Sequence, residues 1–284
     1  MRKLLIITFI NSFFHSFLLG QYVNKMDSIK TRIYIIGVVH SENKYRNSDS
    51  LLNILKDLKP DLILDESDST TSFFPRQYLL SKPPWWYIVG RKLSLLRKMP
   101  PEVEVLFKYK KIDSNIKILP FDKKINNKKR FMKLYLKSER KWYSFLNSAF
   151  ANGLIPDSLT NVHETYMKYN NWLHNTFNKG YKEINNPNVI DSVRQFQMIE
   201  EKYISDLITR DALFSKFKTW LPIYKDFWFV RNTTMSKNII KMAENAKARK
   251  VVVFTGLLHK YSLTDSLNSY NTGGKFELIE YFEK

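Results

Sequence analysis

Residues 33–40 read IYIIGVVH, and the reading of this stretch sets the fold class. Ile33 to Ile36 is a short apolar run closed by glycine, the pattern of a strand buried on both faces in a parallel sheet covered by helices. Ligands of such sheets sit beyond the carboxyl ends of the strands, which is where His40 falls. The same construction returns near the other end of the chain, where the apolar run 251–255 leads into Gly256-Leu257-Leu258-His259. A lone Gly-x-x-His arises by chance, and a single histidine is more often a packing or surface residue. Here two such units stand at strand ends in a chain with only five histidines, so His40 and His259 become candidate site residues.

Outward from the first strand, residues 48–59 place Leu51, Leu52, Ile54, Leu55 and Leu58 at helical spacing, and Pro60 stops the helix. Leu62-Ile63-Leu64 then forms a second apolar strand leading into Asp65-Glu66-Ser67-Asp68. This β-α-β opening predicts a right-handed crossover and a parallel pair, with Glu66 or Asp65 on the same edge as His40. From 69 to about 111 the pattern breaks down among Pro75, Pro83-Pro84 and Pro100-Pro101. Within that region Trp85-Trp86-Tyr87 with Arg91, Lys92, Arg97 and Lys98 reads as part of an inserted helical layer, an interfacial helix or a lid.

Residues 116–121 read as a third strand ending in Asp122, and 131–150, 158–177 and 189–214 as helices. His163 and His174 fall on those helices as surface or packing residues. Residues 227–230 lead into Arg231-Asn232 and a helix over 233–247, with Met235, Ile239, Met242, Ala243 and Ala246 on one face. A short helix over 265–270 and an edge strand over 276–281 complete the pattern. The expected fold is α/β: a central, mainly parallel sheet built from both chain ends, with a large helical insertion at about 69–225.

The chain has 284 residues, 44% hydrophobic and 15% aromatic, enough for a sizeable core and against disorder. With no cysteine there is no disulfide framework, thiolate metal site or cysteine nucleophile. Arg2 and Lys3 followed by a mostly apolar run to Leu19 predict a signal peptide over 1–20, ahead of one domain over 21–284. The expected location is periplasmic or extracellular, a retained N-terminal anchor being the alternative. Lys plus Arg number 46 against 27 Asp plus Glu, a net charge of +19. That excess suits an anionic surface or membrane periphery, and for an exported protein nucleic acid is the less natural partner.

Four pieces in order carry a resemblance: Gly37-Val38-Val39-His40, Pro60-Asp61-Leu62-Ile63-Leu64-Asp65-Glu66, Arg231-Asn232 opening a helix, and Gly256-Leu257-Leu258-His259. In order and wide spacing they resemble the TraB/GumN/TIKI group, within the wider erythromycin-esterase-like and ChaN-like assemblage. The resemblance covers roughly residues 31–70 and 225–270. It implies an α/β fold with a central sheet and, in the TIKI branch, metal-dependent peptide-bond hydrolysis outside the cell. TraB-branch members are associated with blocking peptide pheromones, and ChaN-like relatives bind haem.

The chemistry of these residue types fits that expectation. Two neutral imidazoles and a carboxylate suit Mn, Co, Zn or Fe and leave positions open for water. A bound divalent cation lowers the pKa of its water and polarises a carbonyl, as amide hydrolysis requires. His40 and His259 are the expected metal ligands, with Glu66 as ligand or general base. Arg231 is expected to stabilise an oxyanion or to orient Glu66. Asn232 either helps hold substrate or caps the helix that follows it. Asp68 and Asp122 are lesser candidates for the site, with solvated loop acids as the first reading of both. No H-E-x-x-H, G-x-S-x-G or phosphate-binding G-x-x-x-x-G-K competes. The expected function is therefore an exported metal-dependent hydrolase, peptidase-like and acting on a peptide or protein. The alternative is a non-catalytic peptide- or haem/iron-binding protein on the same scaffold.

Overall fold

The computed structural model describes residues 30–67, 85–93, 95–96, 98–125 and 127–283. The expected signal peptide and Asp68 lie outside them. The first apolar run becomes β1 (Thr31–Val38), followed by α1 (Ser48–Leu58) and β2 (Leu62–Asp65). Asn47 caps α1 by accepting from the Ser50 N–H at 2.9 Å, and Lys59 closes it in the left-handed conformation just before Pro60. Then come α2 (Trp85–Lys92), α3 (Pro101–Ile112) and β3 (Lys117–Pro120). The helices α4 (Lys128–Ala151), α5 (Asp157–Thr176), α6 (Tyr181–Ile184), α7 (Pro187–Arg210) and α8 (Leu221–Lys225) follow. The chain ends with α9 (Arg231–Ala246), β4 (Lys250–Gly256), α10 (Leu257–Tyr270) and β5 (Phe276–Leu278).

All five strands are parallel, in the order β3-β2-β4-β1-β5. This is the expected α/β sheet from both chain ends. One detail differs: β1 and β2 do not pair with each other, because β4 lies between them. The central position needs a strand apolar on both faces, and Val251, Val252, Val253 and Phe254 are all fully buried. The edge strands β3 and β5 instead carry Lys117 and Glu277.

Alternate residues of the strands feed two cores. Tyr34, Ile36, Ile63, Val252 and Phe254 pack against α1, α3 and the helical insertion. Ile33, Ile35, Leu62, Leu64, Val251 and Val253 pack against α9 and α10 through Met235, Ile239, Leu263 and Leu267. The segment 69–111, which shows no clear pattern in sequence, contains α3, whose Val105, Leu106 and Tyr109 join the first core.

The insertion is pinned to the sheet by one amide. Asn185, just after α6, accepts from the Gly37 N–H at 2.7 Å and donates to the Gly37 carbonyl at 2.9 Å. Its side chain thus satisfies the backbone of β1 beyond the point where β5 stops pairing at Ile33. Gly37 allows this approach, since a Cβ there would lie 3.1 Å from Asn185 Oδ1 and 3.2 Å from Leu257 Cδ1.

Candidate functional site

Four neighbouring strands deliver the site from their carboxyl ends, as the parallel topology requires. In sheet order, β3 is followed by Asp122, β2 by Glu66, β4 by the start of α10 with His259, and β1 by His40. Gly256 is the meeting point. A Cβ built on it would lie 3.4 Å from both His259 Cδ2 and His40 Nε2, and 3.5 Å from Glu66 Oε2. The two imidazoles and the carboxylate, distant in sequence, therefore surround one small space. Of the two acids at the end of β2, Glu66 reaches this space, while Asp65 Oδ2 accepts from the Ser67 hydroxyl at 2.8 Å.

Arg231, the first residue of α9, organises the buried half. It follows a π-helical turn, Asp226–Val230, an irregularity frequent at functional sites. Its Nε donates to Asp122 Oδ1 at 2.7 Å, and its Nη2 to Asp122 Oδ2 at 3.0 Å and Glu66 Oε1 at 2.7 Å. Nη1 lies 3.1 Å from His259 Nε2. A guanidinium only donates, so Nε2 must accept, and the ring proton sits on Nδ1 facing Asn232 Oδ1 at 2.6 Å. His259 is thereby fixed as one neutral tautomer. Trp228 lies against it with ring centroids 4.9 Å apart.

The charges follow from these contacts. Burial alone would raise the Glu66 carboxyl, but the facing His259, Arg231 and His40 and the Gly256 N–H bring it down to about 2. With His259 neutral, Arg231 and the protonated His40 are the cations that compensate it. The Gly256 N–H and the Thr255 hydroxyl both donate to Glu66 Oε2, at 2.5 and 2.8 Å, so the carboxylate sits at the N-terminus of α10. Burial pulls the His259 imidazole down to about 4 against the opposing attraction of Glu66, with Arg231 and His40 adding to the fall.

His40 is the exposed member. Its Nδ1 meets Glu102 Oε1 at 2.6 Å, and 56% of its side chain is open to solvent. The hydrogen bond to Glu102 raises the imidazole to about 9, against the opposing effect of burial, and solvent screening tempers the shift. Glu102 stands in the first turn of α3 and is buried; its Oε2 has no partner among the described residues.

Two residues play roles other than those expected. Asp122 is no solvated loop acid: it is buried and holds Arg231 through two hydrogen bonds, because the strand end feeds it into the site rather than into a loop. Asn232 does not cap α9, which already begins at Arg231; its side chain orients His259. Glu102 was missed, although Pro100-Pro101 followed by an acidic residue is a helix-start signal. His163 is a packing residue, buried against Phe150 with Nδ1 2.6 Å from Tyr203 Oη.

Among the described residues, no three His, Asp or Glu side chains are grouped so as to hold a metal ion. The donors explain why. His259 Nε2 and Glu66 Oε1 both face Arg231, and Glu66 Oε2 takes two further hydrogen bonds. The atoms that His259 and Glu66 would turn toward a shared ion are thus already engaged by the guanidinium. Comparison with protein-family models, curated proteins and solved structures finds no match for this chain.

Proposed function

We propose that the protein is an exported hydrolase of peptide or related acyl bonds, with His40 as its acid–base group. The convergence of His40, Glu66, Arg231 and His259 on the space beside Gly256 carries this reading, and the resemblance to the TraB/GumN/TIKI group agrees with it. Glu102 holds Nδ1 of His40, which leaves Nε2 facing the space beside Gly256, where it can take a proton from an attacking water and return it to the leaving group. Arg231 sits beside that space with a fixed charge suited to an oxyanion. Glu66, Asp122, His259 and Asn232 are positioning residues that hold the guanidinium and the second imidazole. A divalent ion on His40, His259 and Glu66 is the other form of the same reading; it requires Arg231 to release Glu66 and His259, and the ion would then supply Lewis acidity and an activated water.

The test is hydrolysis of peptide and ester panels by wild-type protein, His40→Ala and His259→Ala, before and after metal stripping. Loss in both variants supports the reading. Activity that survives stripping assigns the charge to Arg231; activity that needs added Mn, Co, Zn or Fe assigns it to the ion. Undiminished hydrolysis by His40→Ala, or none by wild type on any substrate, overturns the reading. A Soret shift on haem addition would then favour the non-catalytic alternative.

A further inference from the structure

A cleft of about 490 Å³ opens on the helical side of the site, with Glu139, Tyr143, Tyr166, Gln197, Glu200 and Trp228 among its lining residues. Its charge is opposite to that of the chain. The whole molecule is at +19, yet among the described residues no lysine or arginine lines the cleft, and its ionisable lining includes two carboxylates and His174.

Glu200 is the centre of this arrangement. It is only 5% exposed and accepts from Tyr143 Oη at 2.8 Å and from Tyr166 and Tyr224 Oη at 3.4 Å each. Burial pushes its carboxyl up to about 7 in spite of those donors. Three neutral hydroxyls thus leave the carboxylate short of a counter-charge. Gln197, 3% exposed and on the same helix, carries an Nε2 without a partner among the described residues. Tyr143, Tyr166, Phe196 and Trp228 add aromatic rings to the wall. A carboxylate set among aromatic rings attracts a cation by charge and by the ring quadrupoles together, and a spare amide donor beside it suits a nearby carbonyl.

We propose that this cleft binds an organic cation: an ammonium or guanidinium head on a short apolar stem that also bears a carbonyl acceptor. A lysine or arginine residue of a peptide has this chemistry, its main-chain carbonyl being the acceptor. Trp228 and Leu258 line the cleft, Trp228 packs on the His259 ring, and Leu258 precedes His259 in the chain. A peptide seated there would thus run towards the site. That link to substrate choice rests on the hydrolase reading; the binding itself does not.

The experiment measures binding of Nα-acetyl-lysinamide and Nα-acetyl-norleucinamide, which differ in the terminal amine, by calorimetry and tryptophan fluorescence. Wild-type protein is expected to prefer the lysine compound at least about tenfold, a discrimination of roughly 1.4 kcal/mol. Glu200→Gln, which keeps an acceptor for the tyrosines, is expected to shrink the preference below about twofold. His40→Ala should keep it in full, so a failed hydrolase reading leaves this result standing. Equal or absent binding of the two compounds by wild type, which needs no variant, overturns the proposal. So does a preference that survives in folded Glu200→Gln.

Discussion

Arg231 and His259 are joined by a 3.1 Å contact in which the guanidinium is the donor and the imidazole can only accept. This one contact settles the tautomer of a buried histidine and places a permanent positive charge against Glu66 and Asp122. Arg231→Ala would leave two buried carboxylates without their cation, a loss of about 3–5 kcal/mol. Arg231→Lys keeps the charge but loses the fork, since one ammonium cannot reproduce the four contacts in their planar geometry. Urea unfolding should rank wild type above Arg231→Lys above Arg231→Ala; equal midpoints would refute the compensating role.

His40 sets the expected pH profile. Its imidazole is raised to about 9 by Glu102, so at neutral pH the resting form carries the proton. If His40 accepts a proton from water, kcat must rise as the pH climbs toward 9 and level off above it. Glu102→Gln removes the charge behind the shift, so the rising limb should move toward the ordinary histidine value near 6.5. His40→Ala should lower kcat by about 10²–10⁴-fold at every pH.

Acid should act first through His259. The unfolded chain binds a proton at an ordinary histidine near 6.5, whereas the folded ring resists until about 4. The stability conferred by the neutral ring is therefore whole above about 6.5 and is lost as the pH falls toward 4. Glu66 follows lower down: its contribution is whole above about 4.5 and is lost as the pH falls through about 2. His40 and Glu200, both raised by folding, act in the opposite sense, so the check is a difference. The gap in melting temperature between wild type and His259→Gln should narrow from about pH 6.5 to 4, and that between wild type and Glu66→Gln only lower down.

Asn185→Ala should cost about 1–3 kcal/mol by stripping two partners from the buried Gly37 backbone. The local signature is faster hydrogen exchange at the Gly37 amide, ahead of global unfolding. Exchange there as slow as in wild type would show that β1 does not depend on this amide.

The helix α2 leaves Trp85, Trp86, Ile88 and Val89 exposed, with Arg91 and Lys92 in its last turn. Binding to anionic vesicles should follow, should weaken with salt, and should fall in Trp85→Ser/Trp86→Ser while surviving His40→Ala.

The sheet was legible because buried parallel strands are written as unbroken apolar runs, and 33–36, 62–64 and 251–254 have no charged or amide interruption. The strand ends then placed His40, Glu66 and His259 together by topology alone. Order within the sheet was not legible: which apolar run takes the centre is settled by burial on both faces, and three similar runs compete for it. Glu102 was hidden because its helix is weakly amphipathic and lies among prolines. Asp122 and Asn232 were legible as candidates but not in their roles: a polar residue at an element's end looks solvated or capping until its partner is known, and their partners lie 109 and 27 residues away.

The placement of β4 between β1 and β2 has a consequence for how the chain is made. A ribosome releases β1 and β2 almost two hundred residues before the strand that joins them. Throughout that interval the two inner strands have a vacancy on their shared side, each with unsatisfied amides and carbonyls, and the helical insertion must assemble against half a platform. Such a chain is slower to complete, and more exposed to mispairing while it waits, than its modest size suggests.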